Sequence, residues 1–204
     1  MDKPRKIFID GGAHFGESVL AFLKNYKIDD PWKFEIYSFE AHPNLAKNVK
    51  DNFETIVKTN PELDIYFCEA ALSTVDGHID FYIGDSHYAS TTRVDKRSGG
   101  IHKDKKVSAE SIDLNNFIVS NFNKTDYIIL KLDVEGGEYD ILPHMIRNGS
   151  IKYIDELYIE WHHDKLNDYT EDQHNALTEV LKNEYNLEGK YWSAKQIMDG
   201  KQVI

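Results

Sequence analysis

Apolar segments alternate with amphipathic ones along most of this chain. A short apolar run, KIFID at 6–10, is followed by a helical pattern and then by a second apolar run, FEIYSFE at 34–40. Strand, helix and strand in that order predict the beginning of a parallel sheet. The predicted strands are 6–10, 34–40, 63–72, 78–84, 127–134 and 156–162, with weaker signals at 189–193 and 201–204. The predicted helices are 17–26, 43–57, 112–122, 137–149 and 171–185.

This alternation predicts a doubly wound α/β sandwich built on a mostly parallel sheet. The polar interval 85–106 interrupts the pattern and predicts a long loop, and long loops in compact domains are often functional. Ligands of doubly wound folds bind beyond the carboxyl ends of the strands. The residues that directly follow each strand are therefore the candidates for a binding site.

Composition narrows the class of protein. The chain has 204 residues, which predicts one domain over 1–204, and its hydrophobic fraction of 41% is ordinary for a globular protein. No apolar run approaches the roughly 20 residues that span a bilayer, and the basic start MDKPRK lacks the apolar core of a signal peptide. The single cysteine, Cys68, fits a reducing compartment. We therefore expect a cytoplasmic protein with no membrane partner.

Charge argues against one class of partner. The formal net charge is −11 at pH 7, whereas proteins that bind nucleic acids draw most of their affinity from Lys and Arg. We therefore expect no nucleic-acid partner. A small or neutral polar molecule is easier for such a protein to accommodate.

The turn after the first predicted strand has the composition of a ligand-binding turn. It reads IDGGAHFGES, in which the acid Asp10 precedes three glycines. Glycines here allow the backbone to approach a ligand and to turn into a helix N-terminus. Glu40 follows the second strand, where a carboxylate can accept hydrogen bonds from both hydroxyls of a ribose. Together the turn and Glu40 predict a ligand that contains adenosine.

Two classes of cofactor fit these residues. A dinucleotide fingerprint would read G-x-G-x-x-G, but from Gly11 this chain reads GGAHFG, with Ala13 where the second glycine should meet a pyrophosphate. Asp10 favours the other class. A carboxylate beside the turn would repel a pyrophosphate but can hold the amino group of S-adenosylmethionine, directly or through water. A methyl donor is therefore favoured over a dinucleotide.

Carboxylate and imidazole side chains follow two strands that should be neighbours in the sheet. They are Asp133, Glu135 and Glu138 after the strand at 127–134, and Glu160, His162 and His163 after the strand at 156–162. Alternate residues of a strand share a face, so Asp133 should lie with Glu135. Such a cluster can act as a general base or bind a hard metal ion, because Mg²⁺ and Mn²⁺ take oxygen ligands and Mn²⁺ also accepts imidazole.

Methyl transfer to a hydroxyl gives such a cluster a chemical role. The hydroxyl must lose its proton in line with the methyl group, so a base or a metal that lowers its pKa is required. His162 or Asp133 could supply the base. Lys131, inside an apolar strand, needs a charged partner, and Glu160 or Asp10 on a neighbouring strand could provide it.

Six segments, taken in order, resemble the FkbM family of S-adenosylmethionine-dependent methyltransferases. They are IDGGAHFGES, SFEAHP, EAALS, VSAESIDL, KLDVEGGEYDIL and LYIEWHH, and they run from about residue 7 to residue 163. The K-x-D-V-E-G-x-E element and the acidic glycine turn carry most of the resemblance. It implies a class I methyltransferase (Rossmann-like) fold, with a seven-stranded sheet whose last strand is antiparallel. It also implies O-methylation of sugars or of other small molecules that bear hydroxyls.

By position, the resemblance implies a cofactor site and a reacting site. The implied cofactor residues are Asp10, Gly12, His14, Gly16, Glu40, Glu69, Ala70, Ser90 and Asp133. Asp133 also stands where metal-dependent relatives such as catechol O-methyltransferase carry a metal ligand, and the further ligands that follow strand five there correspond to Glu160 and His162. This chain lacks the Asp-Asn or Asp-Asp pair of those enzymes, so a base and a metal, Mg²⁺ or Mn²⁺, both stay open.

The sequence therefore predicts an S-adenosylmethionine-dependent O-methyltransferase acting on a hydroxyl of a sugar, a glycan or another small polar molecule. Asp133, Glu160 and His162 are expected at the reacting hydroxyl. The rival enzyme is a nicotinamide-dependent oxidoreductase, which only the glycine turn and Glu40 favour. The rival outside catalysis is a domain that binds the cofactor or a glycan without turnover, as one part of a larger glycan-building polypeptide.

Overall fold

The elements of this fold are taken from a computed structural model, which describes residues 3–25, 34–86 and 89–191. Its strands are β1 (Lys6–Gly11), β2 (Phe34–Phe39), β3 (Asp64–Cys68), β4 (Ala71–Ser73), β5 (Gly77–Tyr82), β6 (Lys106–Asp113), β7 (Tyr127–Leu132), β8 (Glu156–Ile159) and β9 (Lys190–Tyr191). Its α-helices are α1 (Glu17–Asn25), α2 (Pro43–Thr59), α3 (Leu114–Asn121), α4 (Glu138–Asn148) and α5 (Glu171–Tyr185).

The main sheet has six strands within the described ranges, all parallel, in the order β3-β2-β1-β7-β8-β9. The chain moves outward from β1 to β3 and later returns to place β7 on the other side of β1. Such a reversal opens a crevice at the carboxyl ends of the central strands. The predicted mostly parallel α/β sheet is confirmed, and the last strand, predicted at 201–204, lies outside the described residues.

Apolar side chains fill both faces of the main sheet. Ile7 and Ile9 pack on the face covered by α3, α4 and α5, whereas Phe8 packs on the opposite face, where its ring stacks on Phe22 of α1 with centroids 4.0 Å apart. Because helices cover both faces, β1 is apolar without alternation. None of the helices in the described ranges combines the length and the apolar composition needed to cross a bilayer.

A second sheet of three strands, in the order β4-β6-β5, departs from the predicted elements. The prediction of one strand over 63–72 was wrong, because the chain leaves the main sheet after Cys68 and enters the second sheet at Ala71. β6 was missed because its buried positions hold the small residues Ala109 and Ser111, which give a weak apolar period. The helix predicted from 112 begins at Leu114, after the capping residue Asp113.

The interval between β5 and β6 is a long loop, as predicted, and it crosses the carboxyl edge of the main sheet. The Thr91 hydroxyl donates a hydrogen bond to the backbone oxygen of Glu135 at 2.8 Å. Lys96 forms an isolated β-bridge with Leu166. The loop therefore places side chains at the same edge as the ends of β7 and β8.

Candidate functional site

A cleft of about 650 Å³, including the open solvent at its mouth, lies at the carboxyl ends of β1, β2 and β7. Its walls come from the turn after β1, from residues 39–42 after β2, from residues 70–72, and from residues 133–135 after β7. Ser90 and Thr92 of the long loop complete them.

Two glycines of the first turn have different roles. Gly12 has a φ of +81°, and a Cβ there would lie 1.9 Å from the backbone oxygen of Asp133, so only glycine allows the segments after β1 and β7 to touch. Gly16 has a φ of +88°, but a Cβ there would meet the ring of Phe53 at 2.7 Å. Gly12 therefore lines the cleft, whereas Gly16 allows α1 to pack against α2.

The backbone N–H groups of the first turn all donate to protein acceptors. The pairs are Gly12 and Ala13 to the oxygen of Phe39 (3.0 and 2.9 Å), His14 to Glu40 Oε2 (2.8 Å), Phe15 to Glu17 Oε2 (2.9 Å), and Gly16 to the oxygen of Ala13 (2.7 Å). Two carboxylates thus occupy the start of α1, where a phosphate would bind in a dinucleotide fold. The turn is not built to cradle a pyrophosphate.

Glu40 forms part of the cleft wall with its carboxylate held in place. Oε1 accepts a hydrogen bond from the N–H of His42 and Oε2 from that of His14, each at 2.8 Å. Burial raises the pKa of Glu40, and these two N–H groups oppose that rise only in part. Each carboxylate oxygen has a further lone pair. The side chain can therefore accept hydrogen bonds from a bound ligand without leaving its backbone partners.

Asp10 and Lys131 form an ion pair below the cleft. The register of β1 places Asp10 between Ser38 and Lys131. Lys131 Nζ lies 3.1 Å from Asp10 Oδ1, and the Ser38 hydroxyl donates to Asp10 Oδ2 at 2.8 Å. Lys131 Nζ also donates to the backbone oxygens of Gly11 and Gly12, at 3.0 and 2.6 Å. The carboxylate that the sequence assigned to the cationic end of a cofactor is therefore neutralised inside the protein.

Asp133 is the carboxylate that reaches the cleft from the end of β7. Its side chain is 29% exposed, and Oδ2 lies 3.9 Å from Lys131 Nζ. Burial raises the pKa of Asp133 to about 6, although Lys131 acts in the opposite direction. Near neutral pH the group is mostly ionised and still basic enough to accept a proton.

His162 lies behind Asp133 and is fully buried. Its Nδ1 is 2.9 Å from Glu138 Oε1, which also accepts the backbone N–H of His162 at 3.0 Å. Burial lowers the pKa of His162, but Glu138, Glu160 and Glu135 outweigh that effect and raise it to about 10. Without another cation beside it, the imidazole therefore keeps its proton near neutral pH.

Lys96 is a member of this edge that sequence reasoning missed. It belongs to the long loop, is 4% exposed, and donates from Nζ to the oxygen of Ala89 at 2.8 Å and to Glu135 Oε2 at 2.5 Å. Burial lowers the pKa of Lys96, and Glu135 opposes that shift in part. Nothing in the mixed charges of 93–97 distinguishes this lysine from a solvated one, since its burial depends on a contact 39 residues away.

The structure brings only part of the predicted site to the cleft. The predicted cofactor residues that line it are Gly12, His14, Glu40, Ala70, Ser90 and Asp133. The predicted residues outside its lining are Asp10, Gly16, Glu69, Glu160 and His162. Glu69 is exposed and pairs with Lys50 at 3.4 Å. Glu160 Oε1 lies 3.6 Å from His162 Nε2, at the far side of the imidazole from Glu138.

A known protein family matches most of this chain. The profile of the methyltransferase FkbM domain matches residues 10–187. The crystal structure of methyltransferase FkbM from Methylobacillus flagellatus KT is similar, with 15% identity, a TM-score of 0.43, and coverage of 74% of this chain and 32% of that chain. This chain thus spans about a third of the length of that protein. No curated protein matches the chain.

Proposed function

This chain belongs to the FkbM methyltransferase domain family, a membership that supports methyl transfer, and from that premise we propose a specific reaction. The donor is S-adenosylmethionine, and the acceptor is a hydroxyl of a sugar, a glycan or another small polar molecule. The enzyme works in the cytoplasm, as its one cysteine suggests, and can be part of a larger glycan-building polypeptide.

One observation carries the choice of donor. Every backbone N–H from Gly12 to Gly16 already has a protein acceptor, and the carboxylates of Glu17 and Glu40 occupy the start of α1. A pyrophosphate there would meet like charge and no available donor. S-adenosylmethionine carries no pyrophosphate, and the ammonium group beside its one carboxylate offsets that negative charge and can pair with an acidic side chain. This arrangement favours S-adenosylmethionine over a nicotinamide dinucleotide.

The walls of the cleft offer contacts for each part of that cofactor. Ala70, Ala71, Leu72 and Phe81 give an apolar surface suited to adenine, and Glu40 offers acceptor oxygens to the ribose. The first turn and the segment after β7 are left for the methionine part. When bound, the cofactor supplies an electrophilic methyl group on a sulfonium.

Asp133 is the residue we propose as the proton acceptor for the hydroxyl. It lines the cleft, whereas His162 is buried behind it and Glu160 lies outside the lining, with Oε1 3.6 Å from His162 Nε2. His162 then acts by setting the charge and position of Asp133, and Glu160 contributes a nearby negative charge. A divalent cation at this edge would serve the same end by lowering the pKa of the hydroxyl.

Calorimetric titration tests the choice of donor. S-adenosylhomocysteine should bind the protein, and NAD should not. Binding of NAD with no response to S-adenosylhomocysteine would favour the oxidoreductase and overturn the proposal.

Mass spectrometry then tests the reaction. Candidate sugars and glycans incubated with the protein and labelled S-adenosylmethionine should gain one methyl group. The conservative variant Asp133→Asn should lose turnover while it keeps affinity for S-adenosylhomocysteine, because its amide cannot accept the proton. Unchanged turnover in Asp133→Asn would remove Asp133 from the reaction. Cofactor binding without transfer to any acceptor would favour the non-catalytic domain.

A further inference from the structure

Three potential metal-ligand atoms converge at the ends of β7 and β8. Asp133, Glu135 and His162 each offer one atom, and all three atoms lie within 4.8 Å of one another. From His162 Nε2 the distances are 3.9 Å to Asp133 Oδ1 and 3.8 Å to Glu135 Oε1. We propose that these three residues bind a divalent cation, for which Mn²⁺ is the best match.

The buried imidazole nitrogen is the observation that points to a ligand. His162 is 0% exposed, and its Nε2 has no hydrogen-bond partner among the described residues. Buried polar atoms are nearly always hydrogen-bonded, so one that is not requires an explanation. This nitrogen faces the carboxylates of Asp133 and Glu135, and Glu160 Oε1 lies 3.6 Å from it, too far for a hydrogen bond. A cation between them would take the place of the proton that Nε2 otherwise carries.

Each carboxylate directs one oxygen to a lysine and the other oxygen to His162 Nε2. Glu135 contacts Lys96 through Oε2 at 2.5 Å and turns Oε1 to His162. Asp133 has Oδ2 nearest Lys131, at 3.9 Å, and turns Oδ1 to His162. The lysines offset the repulsion between the two carboxylates without occupying the oxygens that would bind the cation.

Glu138 positions the imidazole. Its Oε1 accepts from the His162 ring at Nδ1 and from the His162 backbone N–H, while its Oε2 accepts from the N–H of Gly136 at 2.9 Å. A proton on Nδ1 directs the lone pair of Nε2 to the other side of the ring. Metal-binding histidines are commonly oriented by a carboxylate in this way.

The geometry also selects among ions and ligands. Metal–ligand bonds of about 2.0–2.2 Å place neighbouring ligands about 3 Å apart, so the three ligand atoms, which lie within 4.8 Å of one another, need to close by at most about 2 Å. An imidazole among two carboxylates suits Mn²⁺ better than Mg²⁺. Glu160, which the sequence assigned as a ligand, approaches His162 but does not belong to the converging group described here.

The remaining coordination positions would face the cleft, because Asp133 and Glu135 line it. If the proposed methyl transfer takes place, an acceptor with two adjacent oxygens could bind the cation through both of them. Vicinal hydroxyls of a sugar have that arrangement. The cation would then lower the pKa of the hydroxyl beside the methyl donor.

Binding of Mn²⁺ to the metal-stripped protein, without cofactor or acceptor, tests the site. Electron paramagnetic resonance of free Mn²⁺ should reveal one site with a Kd below about 100 µM, and Mg²⁺ should bind at least about tenfold more weakly. Electron spin-echo spectra of bound Mn²⁺ should contain the modulation of a directly bound imidazole nitrogen. Because no turnover is measured, failure of the methyl-transfer proposal would leave this result unaffected.

Four conservative variants separate the proposed ligands from their neighbours. Glu135→Gln and Asp133→Asn should each weaken Mn²⁺ binding at least about tenfold, and Glu138→Gln should weaken it about 10- to 100-fold through the orientation of His162. Glu160→Gln is the matched control and should change the Kd by less than about threefold, the scatter expected of a nearby charge that is not a ligand. Circular dichroism should verify that each variant is folded.

Three results would overturn the proposal. The first is the absence of Mn²⁺ binding up to about 1 mM, a concentration that corresponds to a binding free energy of only about 4 kcal/mol. The second is an unchanged affinity for Mn²⁺ in Glu135→Gln. The third is a loss of affinity in Glu160→Gln equal to that in Glu135→Gln. The first would mean that the lysines alone balance the carboxylates. The last would assign the ion to the ligand set predicted from the sequence.

Discussion

Replacing Lys131 by methionine should strongly destabilise the fold. Lys131 and Asp10 are both 0% exposed and lie side by side on β7 and β1. Methionine has nearly the volume of lysine but no charge, so Lys131→Met leaves the packing nearly filled and the Asp10 carboxylate buried without its cation. Removing one partner of a buried ion pair costs about 3–5 kcal/mol. The two hydrogen bonds to the carbonyls of Gly11 and Gly12 are lost as well.

This magnitude is large against the stability of an ordinary domain, which is about 5–15 kcal/mol. For a chain of this size each kcal/mol lowers the melting temperature by about 2–4 °C, so a loss of at least about 3 kcal/mol should lower it by at least about 6 °C. Urea unfolding followed by circular dichroism measures the free energy directly. Lys47→Met, which removes an exposed ion pair with Asp51, is the matched control and should leave the urea midpoint nearly unchanged.

The double variant Asp10→Asn, Lys131→Met tests the cause. If the destabilisation comes from an unpaired buried charge, removing the second charge should recover about 2 kcal/mol or more of the loss, because a buried pair can often be replaced at little net cost. Two results would refute the reasoning: a loss below about 1 kcal/mol in Lys131→Met, or a double variant as unstable as the sum of its single variants.

Three further substitutions or measurements test the cleft and its surroundings. Gly12→Ala should lower the free energy of unfolding by more than about 3 kcal/mol and abolish S-adenosylhomocysteine binding, since its Cβ would lie 1.9 Å from a backbone oxygen. Gly77→Ala is the control, because Gly77 also has a positive φ but a Cβ there would meet nothing within 4 Å, and it should lower the free energy of unfolding by only about 1–3 kcal/mol. Glu40→Gln should weaken S-adenosylhomocysteine binding about 10- to 150-fold by calorimetry, the value of a hydrogen bond to a charged group, whereas Glu69→Gln should not. Burial raises the pKa of the Cys68 thiol, so a disulfide reagent should react with it more slowly than with free cysteine and faster as the pH rises; a rate equal to that of free cysteine would contradict this.

Much of the main sheet could be predicted from local pattern. The apolar runs of β1, β2 and β7 can be recognised in the sequence because a strand that is covered on both faces carries apolar side chains on both of them. β6 could not be found in this way. Its inward residues are small, and its pairing with β5 is a tertiary contact that joins Ile79 to Ala109.

Part of the candidate site could also be predicted from the sequence. Gly12 and Glu40 follow strands directly, so the rule that ligands bind at carboxyl ends was enough to select them, and both line the cleft. The same rule selected Asp10, yet the structure buries it. Its position in the middle of the sheet depends on the strand order, which puts Lys131 directly beside it.

By itself, then, the sequence determined the alternation of strands and helices, the edge of the main sheet at which the candidate site lies, and the residue types available there. Only the tertiary structure decided which charges meet. Lys96 contacts Glu135, which lies 39 residues away along the chain, and Glu138 contacts His162, which lies 24 residues away. No local sequence pattern predicts either contact. Burial then makes these pairings obligatory, because a charge without a partner costs far more inside a protein than in water.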